Sequence, residues 1–82
     1  MRVEVRLFAT LSPYLPKDSE AGSSFLDLAD DSTVGDVAGA LGIPQDFPYI
    51  VLVNGADADE AGRLRTGDVV TLFPPLAGGS RR

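Results

Sequence analysis

The sequence predicts an α+β domain, a mixed sheet of four to five strands packed on one main helix. Two observations carry that prediction. The short segments 2–9, 24–29, 49–53 and 69–73 are apolar either on alternate residues or almost throughout, as strands are. A single stretch after residue 33 shows helical spacing instead, and a hairpin followed by one crossing helix and further strands covers one face of a sheet.

In segment 2–9, Val3, Val5 and Leu7 occupy one face, and Arg2, Glu4, Arg6 and Phe8 the other, so Phe8 is an aromatic on the polar side. Pro13, Pro16 and the run Lys17-Asp18-Ser19-Glu20 then break the periodicity, which predicts a short helical turn followed by a loop. The second strand sets Leu26 and Leu28 against Phe25 and Asp27 and leads into the acidic turn Asp30-Asp31. Ser32 or Thr33 can cap a helix bearing Val34, Val37, Ala38 and Leu41, with Gly42 and Pro44 as its stop. Gly35 and Gly39 inside it each cost about 1 kcal/mol relative to alanine, so the helix depends on packing. Close approach of helix to sheet is the expected reason for both glycines.

Tyr49-Ile50-Val51-Leu52-Val53 is a nearly all-apolar strand expected inside the sheet, and Asn54-Gly55 supplies the positive φ angles of a tight turn. Segment 56–65 looks irregular, with room for one short strand. Thr66-Gly67-Asp68 turns the chain into the last strand, which ends at Pro74-Pro75. This order of elements suits the ubiquitin-like β-grasp. Residues 1–75 form the expected domain. Residues 76–82, Leu76-Ala77-Gly78-Gly79-Ser80-Arg81-Arg82, contain nothing that would fix a conformation and are expected to be a flexible tail.

Composition narrows the chemistry. Eighty-two residues make at most one domain, and such a chain buries only roughly 60–65% of its unfolded surface. There is no cysteine and no histidine. Thiolate catalysis, cysteine-bound metals and the usual general base are therefore missing, no metal site is expected, and an independent enzyme is not. A net charge of −5, twelve acidic residues against seven basic ones, argues against a nucleic-acid partner and suits a basic protein surface. No apolar run approaches the roughly 18 residues of a membrane span, and the N-terminus lacks the pattern of a signal peptide. A cytoplasmic location is the resulting expectation.

Three segments together resemble the MoaD/ThiS family of ubiquitin-like sulfur carriers. They are Val5-Arg6-Leu7-Phe8-Ala9-Thr10-Leu11, Val51-Leu52-Val53-Asn54-Gly55, and the run from Gly67 through Phe73-Pro74-Pro75-Leu76-Ala77 to Gly78-Gly79. The last is the specific one. The segment between the first two strands is long, which is more similar to MoaD, the small subunit of molybdopterin synthase, than to ThiS.

The resemblance implies that an adenylating enzyme of the ubiquitin-activating type uses ATP to activate the carboxyl of Gly79, and that a sulfur donor converts it to a thiocarboxylate. The carrier itself binds no cofactor, and sulfur passes to the large subunit of molybdopterin synthase or to another accepting enzyme. Gly78 and Gly79, without side chains, can enter a narrow active site in extended form. Phe8, Phe73, Pro74, Pro75 and Leu76 are the expected partner-binding residues, both phenylalanines pointing outward if Val70 and Leu72 face the helix; the other arrangement curls Phe73 inward to close the core. In this sequence the carbonyl of Gly79 is tied in an amide to Ser80, so Ser80, Arg81 and Arg82 must first be removed, as a deubiquitinase-type metalloprotease does for other precursors. Alternatives are a carrier for cysteine, thiamine or secondary-metabolite sulfur transfer, a modifier joined to lysines, and a plain interaction domain.

Overall fold

The computed structural model describes residues 1–16, 22–44 and 46–75. Its elements in chain order are β1 (Arg2–Leu7), a 3₁₀ turn (Ala9–Tyr14), β2 (Ser23–Asp27), α1 (Val34–Leu41), β3 (Ile50–Val53), β4 (Ala56–Ala58) and β5 (Val69–Phe73). The strands form one mixed sheet in the order β2-β1-β5-β3-β4. β1 and β5 run parallel at its centre and the other pairs are antiparallel. This is the β-grasp that the sequence predicts.

One face of the sheet is dry. Val3, Val5 and Leu7 of β1, Val70 and Leu72 of β5 and Val51 of β3 are buried against Val34, Val37 and Ala38 of α1, with Leu11, Ile43 and Leu64 closing the sides. Burying each such valine or leucine is worth about 1.5–3 kcal/mol, so this cluster is the main source of stability in a small domain. The alternation that places Val70 and Leu72 inward sends Val69, Thr71 and Phe73 to the open face.

β1 stops two residues short of the expected 2–9. Ala9 takes φ +53, which turns the chain out of the ladder and into the 3₁₀ turn around Pro13. Phe8 remains extended (φ −125, ψ 157), and its amide donates to the Leu72 carbonyl at 3.2 Å, so it continues the alternation of β1. β2 runs over 23–27, one residue earlier than expected at its start and two earlier at its end. The helix matches its expected span. Thr33 is the cap, its hydroxyl accepting from the Asp36 amide at 3.3 Å while Asp36 Oδ2 accepts from the Thr33 amide at 2.8 Å. Gly42 closes the helix with φ +81.

The expected reason for the helix glycines is corrected. At Gly35 a Cβ would lie 3.4 Å from the Glu60 carbonyl, so the close neighbour is the loop after β4, not the sheet; at Gly39 it would meet nothing within 4 Å. β4, within the segment that looks irregular, exists because Asn54 (φ +54) and Gly55 (φ +84) make a two-residue hairpin that lays Ala56 opposite Val53. Asn54 also ties this hairpin to β5: its Oδ1 accepts from the Val69 amide at 2.9 Å and its Nδ2 donates to Asp68 at 3.0 Å.

Candidate docking face and tail exit

The face of the sheet opposite α1 carries the candidate site. In the ladders Leu7 pairs with Leu72 and Ile50 with Phe73, so the next residue after Leu7, Phe8, comes beside Phe73 on the open face, and Phe73 in turn stands beside Ile50. Phe8 is 48% exposed and Ile50 38%, while Phe73 is partly covered. Phe73 therefore points outward, as one of the two sequence readings had it. Leu52 extends the apolar surface along β3 and stands opposite Asp57 of β4. Pro74, half-buried, and Pro75, exposed, lead the chain away from this corner.

The other end of the same face is polar. Arg6 Nε donates to Glu4 Oε2 at 2.7 Å, and Arg2 lies 3.6 Å from Asp27 with its guanidinium over the Phe25 ring at 5.4 Å. These exposed pairs contribute little stability, but they satisfy the charges locally. The open face is thus divided into an ion-paired end and an apolar end, and the apolar end lies where β5 hands the chain to residue 76.

Of the site residues expected from sequence, the structure brings together Phe8, Phe73, Pro74 and Pro75. Leu76, Gly78 and Gly79 lie outside the described residues, as does the rest of 76–82. Sequence reasoning missed Ile50 and Leu52 as members of the patch. The signal was present: an all-apolar strand in a sheet with one covering helix must turn half its residues to the open side.

Beside the apolar corner, Phe47, Tyr49 and Ile50 help to line a groove of about 540 Å³ between the segment before β3 and the strand β4. Asp46, Asp57, Asp59 and Glu60 line it as well. The Tyr49 hydroxyl donates to Glu60 Oε2 at 2.6 Å, and burial first, then that hydrogen bond and the Glu60 charge, push the phenol up from 10.0 to about 12. Among the described residues no group of three or more acidic side chains stands close enough to hold a metal ion, and no helix is long and apolar enough to cross a membrane.

A family model described as Mut7-C ubiquitin matches residues 1–78. The chain belongs to the Mut7-C ubiquitin family. Nothing among the curated proteins matches it. Among solved structures, the HVO 2177 protein of Haloferax volcanii is 33% identical, with 96% of this chain and 87% of that one covered and a TM-score of 0.76. SAMP1 from Haloferax volcanii, a small archaeal modifier protein, is 29% identical over 96% of this chain and 100% of its own, with a TM-score of 0.69. A chain of the complex between subunits 1 and 2 of the molybdopterin-converting factor from Helicobacter pylori is 26% identical, with 96% and 100% covered and a TM-score of 0.62. The resemblance to MoaD-type proteins read from the sequence is therefore borne out, alongside a likeness to archaeal modifiers. The Helicobacter relative is one of two subunits of a protein–protein complex.

Proposed function

We propose that this family member is a sulfur carrier whose working group is the main-chain carboxyl of Gly79, and that it delivers sulfur in molybdopterin biosynthesis. The observation that carries the proposal is the apolar corner of Phe8, Phe73 and Ile50 at the end of β5, from which the chain runs through Pro74-Pro75 to Leu-Ala-Gly-Gly. Exposed aromatic and aliphatic clusters mark interfaces, and a partner seated there has the glycine pair within a few residues of its contact surface. Hydrolysis of the Gly79–Ser80 bond, by a metalloprotease in this scheme, frees the carboxylate. That carboxylate attacks ATP on an adenylating partner with loss of pyrophosphate, and a sulfur donor then displaces AMP. The carrier supplies no side-chain nucleophile, in keeping with a sequence lacking cysteine and histidine. The accepting partner in this scheme is a large subunit of the converting-factor type, by analogy with the two-subunit complex of the Helicobacter relative.

A second reading is a protein modifier, with Gly79 joined to a lysine of another protein. It is favoured by the 29% identity to SAMP1, compared with 26% for the converting-factor chain. The intact mass of the protein recovered from its host, or after coexpression with that host's adenylating enzyme and candidate protease, tests both. Loss of Ser-Arg-Arg with a gain equal to sulfur replacing oxygen supports carriage. Adducts linked through lysine support modification, and a mass that always keeps all three residues refutes both.

A further inference from the structure

β2 forms one edge of the sheet, and among the described residues no strand pairs with its outer side. Its ladder with β1 shows which backbone groups face that way. The Leu28 amide donates to the Met1 carbonyl at 2.7 Å and the Leu7 amide to the Gly22 carbonyl at 3.2 Å, so alternate residues from 22 to 28 turn their amides and carbonyls to β1. Those of Phe25 and Asp27 point past the edge. The Phe25 side chain stands on the open face at the middle of this edge, 58% exposed, with the Arg2 guanidinium 5.4 Å from the centre of its ring. An exposed aromatic on an unpaired edge is what a further strand would cover.

The two edges of the sheet differ. β4 has only three residues and carries Asp57 at its centre, two features that discourage pairing. β2 has five, with no proline, lysine or bulge to block it. A β2–β4 contact between copies is also head-to-tail, whereas β2 against β2 closes on a two-fold axis. With Phe25 on that axis the two rings are direct cross-strand partners. Asp27 of each copy then falls opposite Ser23 of the other, and the residue across β1 from Ser23 is Arg6. Ser23 is small and Arg6 is long and exposed, so the arginine reaches over the serine to the aspartate of the other copy. A register one step along sets each Asp27 carboxylate against the other copy's ring and loses this match.

We propose that two copies of this chain pair edge to edge through β2, antiparallel about Phe25, so that the five strands of each join in one continuous sheet. The two-fold axis stands perpendicular to that sheet, and both open faces look the same way. Five strand spacings, about 24 Å, separate β5 of one copy from β5 of the other. The dimer thus offers a partner two apolar corners at once. That consequence rests on the docking reading above; the pairing itself does not. Five residues a side are few against the roughly 20–30 of a standard interface, so the dissociation constant is on the order of 0.1–1 mM. A net charge of −5 on each copy also keeps it weak.

The test uses the 82-residue chain alone, from about 20 μM to about 2 mM, a range that brackets this constant. Sedimentation should show the mass doubling across it, and the amides of Phe25 and Asp27 should shift with concentration while those of Asp57 and Ala58 on the other edge stay still. In a mixture of isotope-labelled and unlabelled copies, the α-protons of Ser24 and Leu26 should give an intermolecular contact, because this register makes them non-hydrogen-bonded partners. Phe25→Lys sets two ammonium groups face to face and should weaken pairing at least about tenfold, although it lowers the repulsion between the copies as wholes. Phe25 lies outside the buried cluster, so this variant keeps its fold, which a thermal melt checks. A single-copy mass at the highest concentration overturns the proposal, as does any other pattern of intermolecular contacts or a dimer indifferent to Phe25→Lys. Loss of the dimer with Phe73→Asp overturns it in favour of face-to-face pairing through the apolar corner. The readout needs neither ATP nor a partner, so failure of sulfur carriage leaves it unaffected, and its own failure leaves sulfur carriage standing.

Discussion

Ile50 and Phe73 face each other across the β3–β5 ladder on the open side of the sheet, at the point where the last strand releases the chain. Neither side chain contributes to the buried cluster under the helix. Phe73→Asp should therefore leave the fold intact while weakening binding to the adenylating enzyme or to the larger subunit by about 2 kcal/mol or more, roughly thirtyfold, if this corner is the central anchor. Calorimetric titration measures the affinity, and a thermal melt of the same variant checks the fold. Unchanged affinity in a folded variant would remove the docking corner. Ile50→Asp, one strand over, guards against an unfolded Phe73 variant.

Tyr49 gives the domain a pH dependence at the alkaline end. Burial, followed by the hydrogen bond to Glu60 and its charge, raises the phenol from 10.0 to about 12. Between those values the folded chain keeps a proton that the unfolded chain has lost, so unfolding releases a proton and stability falls as pH rises. The contribution is complete below about pH 10 and is gone once pH passes the folded value. Urea midpoints measured across that range should decline more steeply for the parent than for Tyr49→Phe. Parallel declines would mean that the phenol is not held up in the folded state.

Much of the fold was legible because the apolar positions leave little choice of register. Val3, Val5 and Leu7 on one side of β1, and Val70 and Leu72 on one side of β5, can face the helix in only one way, and that fixes where Phe8 and Phe73 point. The capped helix and the Asn54-Gly55 turn were legible for the same local reason. β4 was not: Ala56-Asp57-Ala58 has almost no strand propensity, and only the turn before it and the paired Val51–Val53 edge make it a strand. The acid-lined groove was not legible either, since it joins Asp46 to residues eleven and more positions away whose proximity exists only once β4 folds back.

The helix glycines separate two causes that look alike in the sequence. Gly39 is exposed, and an added Cβ meets nothing within 4 Å, so Gly39→Ala should stabilise the domain by about 0.5–1 kcal/mol, chiefly by restricting the unfolded chain. At Gly35 the Glu60 carbonyl already sits 3.4 Å from that position, so alanine gains less there or nothing. In a domain of this size about 1 kcal/mol moves the melting temperature by roughly 4–8 °C, which resolves the two variants in one calorimetric comparison. Equal gains at both positions would mean that the loop after β4 yields freely.

Thr33 joins the helix start to the loop that Glu60 occupies. Its hydroxyl and the Asp36 carboxylate cap each other's backbone amides, and the Gly35 amide, two residues on, donates to the Glu60 carbonyl at 3.0 Å. Thr33→Ala removes one half of this arrangement and should cost about 1 kcal/mol. Asp36→Asn keeps an acceptor but lowers the charge at the helix N-terminus, and should cost a few tenths. A chemical-denaturation series measures both, and a larger loss for Asp36→Asn than for Thr33→Ala would show that charge outweighs the hydroxyl cap.

The strictest prediction concerns Gly79. If the reactive atom rides on the main chain, the side chain at this position matters only through the space it occupies as the terminus enters another active site. Gly79→Ala, made in the chain that ends at residue 79, adds one methyl group there. That change leaves residues 1–75, and the docking corner with them, untouched. Affinity for the adenylating partner should therefore hold, while the rate of thiocarboxylate formation falls by an order of magnitude or more, because a misplacement of about 1 Å at a reacting centre can cost a hundredfold. Quench-flow mass analysis gives the rate, and titration of the adenylating enzyme gives the affinity. Undiminished sulfur transfer by the alanine form would sink the main-chain mechanism. A matching loss of affinity and rate would place Gly79 in binding instead of chemistry.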